Sequence, residues 1–97
     1  MATDKNRRVL VVDDDTDMVA VLLSCLTHEG YRVDTSTNID DMKGHIKKFR
    51  YDAILLDLFL GEERGIEAIH FIVREIPFSK VIVMTAFGSI DTAMQSI

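Results

Sequence analysis

The stretch Val9-Leu10-Val11-Val12-Asp13-Asp14-Asp15 places an unbroken, largely β-branched apolar segment immediately before three aspartates. A short segment of this kind is typical of a strand that is buried on both faces of a sheet. The aspartates end the strand, and either Asp15 or Thr16 can cap a helix that follows. The stretch therefore predicts a strand and then a helix, with acidic side chains at the carboxyl end of the strand.

The same order of strand and helix repeats along the chain. Three more strands are predicted at residues 31–36, 53–56 and 81–84, the last two ending at Asp57 and Thr85. Strands that alternate with helices imply right-handed βαβ units and a parallel sheet. The predicted fold class is therefore α/β, with a doubly wound parallel sheet.

Apolar residues at helical spacing predict a helix after each strand. Gly30 is the expected end of the first helix, Thr37 or Asn38 opens the second, and a fourth helix begins at Gly88. Pro77 closes the third helix because proline cannot continue it. The predicted apolar faces are Met18, Val21, Leu22, Cys25 and Leu26 in the first helix, Ile39, Met42, Ile46 and Phe49 in the second, and Ile66, Ile69, Ile72 and Val73 in the third.

Length and composition restrict the class of protein. Ninety-seven residues suffice for one small domain, and the apolar runs are far shorter than a membrane span, which needs roughly 20 residues. No leader for secretion is recognisable, and the single cysteine, Cys25, agrees with a reducing compartment. The formal charge of −5 gives no electrostatic reason to expect direct binding of nucleic acid.

Polar side chains end three of the predicted strands, and parallel strands place their carboxyl ends at one edge of the sheet. We therefore expect Asp13, Asp14, Asp57 and Thr85 to converge there. Clustered carboxylates repel one another unless a cation offsets their charge, and Mg²⁺ prefers such oxygen ligands. A carboxylate can also attack phosphorus and form an acyl phosphate.

A structural explanation competes with each of these assignments. Aspartates after strands are often helix caps, which explains Asp13 and Asp14 taken alone as well as a metal site does. Asp57 differs because the next helix is predicted to begin several residues later, after a loop containing Gly61 and Gly65. Thr85 is a candidate site residue only because Asp13, Asp14 and Asp57 are expected to lie near it.

Three blocks of this sequence resemble the motif blocks of response-regulator receiver domains, in their usual order and at their usual intervals. The blocks are residues 9–15, residues 52–58 and residues 81–88. The resemblance covers residues 1–97 and implies the flavodoxin-like (CheY-like) fold with strand order 2-1-3-4. It also implies a cytoplasmic signalling domain, which promotes its own phosphotransfer and dephosphorylation and is not an enzyme acting on a separate substrate.

The resemblance assigns a role to each candidate residue. It makes Asp57 the phosphoacceptor and Asp14 a direct Mg²⁺ ligand, with Asp13 acting largely through water. It further implies that the backbone carbonyl of Phe59 completes the protein's share of the metal shell. Thr85 would be the switch hydroxyl, and the backbone amide of Ala86 would also face the phosphoryl group.

The implied partner is a sensor histidine kinase that supplies the phosphoryl group from a phosphohistidine. The run from Thr85 to Ala93 is similar to receivers of the nitrogen-regulator (NtrC-like) type, which usually precede an AAA+ ATPase domain and a DNA-binding domain. Such an output region is expected beyond Ile97, together with a role in transcription regulation.

The sequence departs from the family pattern at its carboxyl end. Members carry a fifth strand that ends in a phosphate-binding lysine, followed by a fifth helix, and no lysine of this chain can be assigned to that position. We therefore expect an incomplete receiver. Its fourth strand is an exposed edge, and the apolar face beside the first helix, which the fifth helix would cover, is open to water. Self-association, as a homodimer or by exchange of elements, is the expected consequence.

Two other functions compete with a phosphorylated switch. A haloacid-dehalogenase-type phosphatase also uses an aspartyl phosphate, but it needs a second acid two residues after the nucleophile, where this chain has Phe59. A pseudo-receiver that only docks partners would not need the three acids, although the absent lysine is compatible with it.

Overall fold

A computed structural model describes residues 7–57 and 64–84. Strands and helices alternate in it, as the sequence predicts. The predicted helix after Gly88 lies outside the described residues. The elements are β1 (Arg8–Val12), α1 (Thr16–His28), β2 (Arg32–Ser36), α2 (Ile39–Lys48), β3 (Ala53–Asp57), α3 (Arg64–Glu75) and β4 (Lys80–Met84).

The four described strands form one parallel sheet in the order β2-β1-β3-β4, which confirms the predicted order. In the register of β1 with β3, Val12 is the partner of Leu56. The residues that follow these partners, Asp13 and Asp57, are therefore neighbours at the carboxyl edge of the sheet.

Buried side chains form one apolar cluster on each face of the sheet, because successive residues of a strand point to opposite faces. Leu10, Val12, Ile54 and Leu56 pack with residues of α2 and α3 on one face. Val9, Val11, Ala53 and Leu55 pack with α1 on the other face. The central strands are thus buried on both sides, which explains why residues 9–12 and 53–56 are all apolar.

The ends of the helices decide between the predicted caps. The Asp15 side chain accepts hydrogen bonds from the backbone N–H groups of Asp17 and Met18, so Asp15 and not Thr16 caps α1. Asn38 caps α2 by accepting from the N–H of Asp41 at 2.8 Å. Gly30 follows α1 with φ of 97°, the left-handed conformation predicted for that position.

Several residues assigned to apolar helix faces lie elsewhere. The buried stripe of α1 is Val19, Leu22 and Leu26, so Val21 is turned toward solvent and Cys25 is only partly buried at the edge of the stripe. Phe49 has an extended backbone at the end of α2, although its ring packs against the core. In α3, Ile66 and Val73 are each 56% exposed. Among the described helices, none has the length and apolar content that a membrane span requires.

Candidate metal centre

Three carboxylates meet at the carboxyl edge of the sheet. Asp13 and Asp14 follow β1 directly, and Asp57 is the last residue of β3. One carboxylate oxygen from each of the three lies within 4.8 Å of the others. The convergence that the sequence predicts for these three side chains is therefore confirmed.

Backbone contacts fix the position of Asp13 within this cluster. Its N–H donates a hydrogen bond to the carbonyl of Ser36 at 3.0 Å, which extends the pairing of β1 with β2 by one residue. Its Oδ1 accepts from the N–H of Asp15 at 2.9 Å. The same turn thus holds the Asp13 carboxylate and places Asp15 at the start of α1.

The three carboxylates differ in their exposure to water. Asp13 is 5% exposed, Asp57 is partly buried, and Asp14 is exposed. The pKa of Asp13 is raised to about 6, mainly by burial; the Asp15 hydrogen bond lowers this pKa, and the neighbouring carboxyls of Asp57 and Asp14 raise it. Negative charge at Asp13 is therefore unfavourable unless a cation accompanies it.

The composition of the cluster fits a hard divalent cation. All three side chains offer carboxylate oxygens, and their spacing allows one ion to contact an oxygen of each. Mg²⁺ is commonly bound by one or two carboxylates while it retains waters and contacts a phosphate. A cation at this position would also relieve the electrostatic cost at Asp13, so the residues present fit such an ion.

The structure decides against the helix-cap explanation for Asp13 and Asp14. Asp15 caps α1, whereas Asp13 accepts from the N–H of Asp15, a residue that lies outside the helix. The exposed Asp14 contributes an oxygen to the cluster. The three consecutive aspartates therefore have different structural positions, and two of them belong to the cluster.

The remaining predicted site residues, Phe59, Thr85 and Ala86, lie outside the described residues. One contact near the site was missed by the sequence analysis, namely the Ser36 carbonyl that receives the Asp13 N–H. Ser36 is buried at the end of β2, and its only sequence signal is its place next to a predicted helix start. Pairing between strands is needed to bring it beside Asp13.

Comparison with known proteins gives a family match over residues 9–97, to the response regulator receiver domain. The alginate biosynthesis transcriptional regulatory protein AlgB of Pseudomonas putida is 32% identical over 96 residues, which are 99% of this chain and 21% of that protein. The nitrogen assimilation regulatory protein NtrX of Azorhizobium caulinodans is 33% identical over 91 residues, 92% of this chain and 20% of that protein. The chain thus spans about a fifth of the length of these relatives.

A solved structure with a similar fold is a response regulator protein from Burkholderia pseudomallei. Its TM-score with this chain is 0.79 at 28% identity, over 94% of this chain and 54% of that protein. That crystal contains a phosphorylated aspartic acid, a calcium ion and citrate. The similarity supports the parallel α/β fold described above.

Proposed function

This chain belongs to the family of response regulator receiver domains, and from that premise we propose that it accepts a phosphoryl group on Asp57 in a Mg²⁺-dependent reaction. The donor is the phosphohistidine of a sensor histidine kinase. Phosphorylation then switches the output of a longer transcriptional regulator of the nitrogen-regulator type. The relatives AlgB and NtrX, which are regulators of that type, support this assignment of the output.

The convergence of Asp13, Asp14 and Asp57 is the observation that carries this proposal. Two strands that are not consecutive in sequence place their ends together only because the sheet order is β2-β1-β3-β4. The partly buried Asp57 ends an apolar strand and lies beside two carboxylates that can hold a cation. This arrangement supplies a nucleophile and a place for positive charge next to it.

In the proposed reaction, an Asp57 oxygen attacks the phosphorus of the phosphohistidine. The new bond joins that oxygen to phosphorus, while the bond from phosphorus to the imidazole nitrogen breaks and the imidazole takes up a proton. Bound Mg²⁺ supplies positive charge that stabilises the phosphoryl oxygens. Asp13 and Asp14 hold the ion, and the hydrogen bonds to Asp13 keep that carboxylate in place.

Further roles follow from membership of the family and remain proposals for this chain. The carbonyl of Phe59 completes the metal shell, and the hydroxyl of Thr85 and the amide of Ala86 contact the phosphoryl group. Drawing the Thr85 hydroxyl toward the new charge is the step that passes the signal on to the output.

Incubation with Mg²⁺ and a small phosphodonor such as acetyl phosphate tests the acceptor, read by intact mass spectrometry. We expect a gain of one phosphoryl group that disappears with EDTA and with Asp57→Asn. Asp15→Asn is the matched control, because asparagine also caps helices and Asp15 is outside the cluster.

Phosphorylation of the Asp57→Asn protein to the same extent as the wild type would refute the assignment of the acceptor. A mass gain that persists in EDTA would refute the metal dependence alone. Failure of a folded full-length version, which includes the strand with the phosphate-binding lysine, would support a docking role without phosphotransfer.

A further inference from the structure

Charge is distributed unevenly between the two ends of the sheet. All described lysines and arginines except Lys43, inside α2, and Arg64, the first residue of α3, lie at the amino-terminal ends of strands or at the carboxyl-terminal ends of helices, which is the same edge of the fold. We call this surface the basic edge; it comprises Arg7, Arg8, Arg32, Lys47, Lys48, Arg50, Arg74 and Lys80.

The opposite end of the sheet carries the metal-site carboxylates and the acidic first turns of the helices. We call this surface the acidic edge. It comprises Asp13, Asp14, Asp15, Asp17, Asp40, Asp41, Asp57 and Glu67. Five-residue strands separate the two edges by about 15 Å, so neither edge can neutralise the other within one molecule.

Backbone hydrogen bonds connect a row of residues across the strands, in which the acidic Asp52 lies between Arg8 and Lys80. The N–H of Arg32 donates to the carbonyl of Arg7 at 2.9 Å, and the N–H of Asp52 donates to the carbonyl of Arg8 at 2.8 Å. The N–H of Lys80 then donates to the carbonyl of Asp52 at 3.0 Å. The row therefore crosses all four strands.

Helix dipoles explain only part of this row. Lys47, Lys48 and Arg74 lie in the last turns of α2 and α3, where positive charge is favourable. Arg8 and Arg32 are cross-strand partners in the register of β1 with β2, and adjacent strands are only about 4.8 Å apart. Their like charges repel, so this pair has an electrostatic cost in the isolated molecule.

Two of the guanidinium groups are held by aromatic rings. Arg8 lies 4.2 Å above the centre of the Phe49 ring, and Arg50 lies 3.9 Å above the centre of the Phe78 ring. Stacking covers one face of a guanidinium and leaves its in-plane N–H donors available to carboxylates. Acidic residues at the same edge, namely Glu29, Asp52 and Glu75, are fewer than the basic ones.

We propose that the basic edge binds the acidic edge of a second copy of this chain, head to tail. The two edges are the two ends of one sheet, so the strands reach both edges at the same spacing. Their charges are opposite, and arginine is well suited to bidentate contacts with carboxylates. A contact between different surfaces does not close on itself, so it forms short open chains rather than a symmetric dimer.

Mixing of complementary variants tests the proposal with the full 97-residue chain in EDTA. The basic-edge variant combines Arg32→Gln, Arg50→Gln and Lys80→Gln, and the acidic-edge variant combines Asp17→Asn, Asp40→Asn and Asp41→Asn. All six positions are exposed, and none belongs to the metal centre. Circular dichroism checks that both variants are folded.

Sedimentation equilibrium is measured at protein concentrations up to the order of 1 mM and at about 20 mM salt, where charges are weakly screened. We expect the average mass of the wild type to rise with concentration and to return to the monomer value at about 0.5 M salt. Each variant alone remains monomeric. An equimolar mixture forms a one-to-one complex and nothing larger, because only one complementary pair of edges remains.

The proposal would be overturned by a monomeric wild type at low salt, by association that salt does not weaken, or by variants that associate alone as well as the wild type does. A mixture of the two variants that stays monomeric would also overturn the proposal. A wild type that is monomeric yet binds polyglutamate would assign the basic edge to a different acidic protein, again against the proposal. None of these outcomes depends on phosphorylation of Asp57.

Discussion

At the scale of single residues, Asp13 combines burial with the proximity of two other carboxyls. Its pKa of about 6 in the folded protein exceeds the ordinary value of 3.8. The folded state therefore favours the protonated form and binds more protons than the unfolded state between these two pH values. It follows that the contribution of Asp13 to the free energy of unfolding decreases as the pH rises through this window.

We predict that Asp13→Asn stabilises the metal-free protein at neutral pH by about 1–3 kcal/mol. The amide keeps an oxygen that can accept the Asp15 N–H but carries no charge beside Asp57. Urea denaturation in EDTA measures the difference, which we expect to be much smaller near pH 4. A difference that does not change with pH would show that repulsion at Asp13 is not its cause.

The charge of Asp13 destabilises the metal-free protein, whereas binding of a metal ion at the same residue should stabilise the folded state. We predict that Mg²⁺ raises the thermal midpoint of the wild type, because an ion that binds only the folded state stabilises it. Asp13→Asn should reduce this increase, since it removes one of the charged ligands. Differential scanning fluorimetry with and without Mg²⁺ measures both proteins, and an equal increase in the two would contradict a role of Asp13 in the site.

Tyr51 is a second residue whose surroundings give a clear expectation. Its ring is fully buried, its hydroxyl donates to Oδ2 of Asp34 at 2.6 Å, and Nδ1 of His45 lies 3.3 Å from the hydroxyl oxygen. Burial and the Asp34 carboxylate both raise the pKa of Tyr51. The hydroxyl therefore stays protonated and links β2, α2 and the start of β3.

We predict that Tyr51→Phe lowers the free energy of unfolding by about 1.5–3 kcal/mol, the range for a hydrogen bond to a charged group. Tyr31→Phe is the matched control, because Tyr31 is partly buried and its hydroxyl makes no hydrogen bond within residues 7–57 and 64–84. The control should change stability by less than about 0.5 kcal/mol. Equal losses in chemical denaturation would show that the hydrogen bond to Asp34 is not the cause of the effect.

At the scale of elements, two of the glycines associated with helices, Gly30 and Gly44, have opposite requirements. Gly44 lies inside α2, and a Cβ added there meets nothing within 4 Å. Gly30 follows α1 with φ of 97°, a conformation that is costly for residues with a Cβ. Gly44 weakens α2, whereas Gly30 allows the chain to leave α1 and enter β2.

We predict that Gly44→Ala stabilises the protein by about 0.5–1 kcal/mol and that Gly30→Ala destabilises it by about 1 kcal/mol or more. Thermal and urea denaturation of the two variants measure both signs. A destabilising Gly44→Ala would mean that α2 needs local flexibility at this point.

Sequence periodicity predicted the elements well because β1, β3 and β4 contain short apolar runs that end at a polar residue, while β2 alternates in character. It predicted the helix faces less well, since residues such as Val21 and Val73 are apolar yet exposed. Apolar character alone does not show which of two adjacent helix positions faces the sheet. That choice depends on how each helix lies on the strands beneath it.

At the scale of the whole molecule, one sheet separates two apolar clusters. Leu55 and Leu56 are consecutive and fully buried, but their side chains belong to opposite clusters. We predict that Leu55→Ala and Leu56→Ala each cost about 2–5 kcal/mol. Because β3 belongs to both clusters, both variants should still unfold in a single transition, detected together by circular dichroism and tyrosine fluorescence. Separate transitions would show that the two faces are independent.

The acidic cluster could be predicted before the structure because parallel strands share their carboxyl edge, so Asp13, Asp14 and Asp57 had to be close. The contact with Ser36 could not, because it requires the register of β1 with β2, in which Val12 pairs with Ser36, and strand order alone does not give that register. The basic edge could not be predicted from the net charge, for a different reason. A net charge of −5 is a sum over the whole chain and does not reveal that positive and negative residues occupy opposite ends.

The run from Asp13 to Asp15 has a consequence for how this protein can change over evolution. Asp13 and Asp14 belong to the carboxylate cluster, and Asp15 caps α1 directly after them. Each of the three residues in this turn therefore has a defined role. Substitutions affect one function at a time, and Asp15 can be exchanged for another capping residue. A deletion or insertion would shift both functions together, so we expect homologous sequences to vary in composition here while keeping the length of this turn constant.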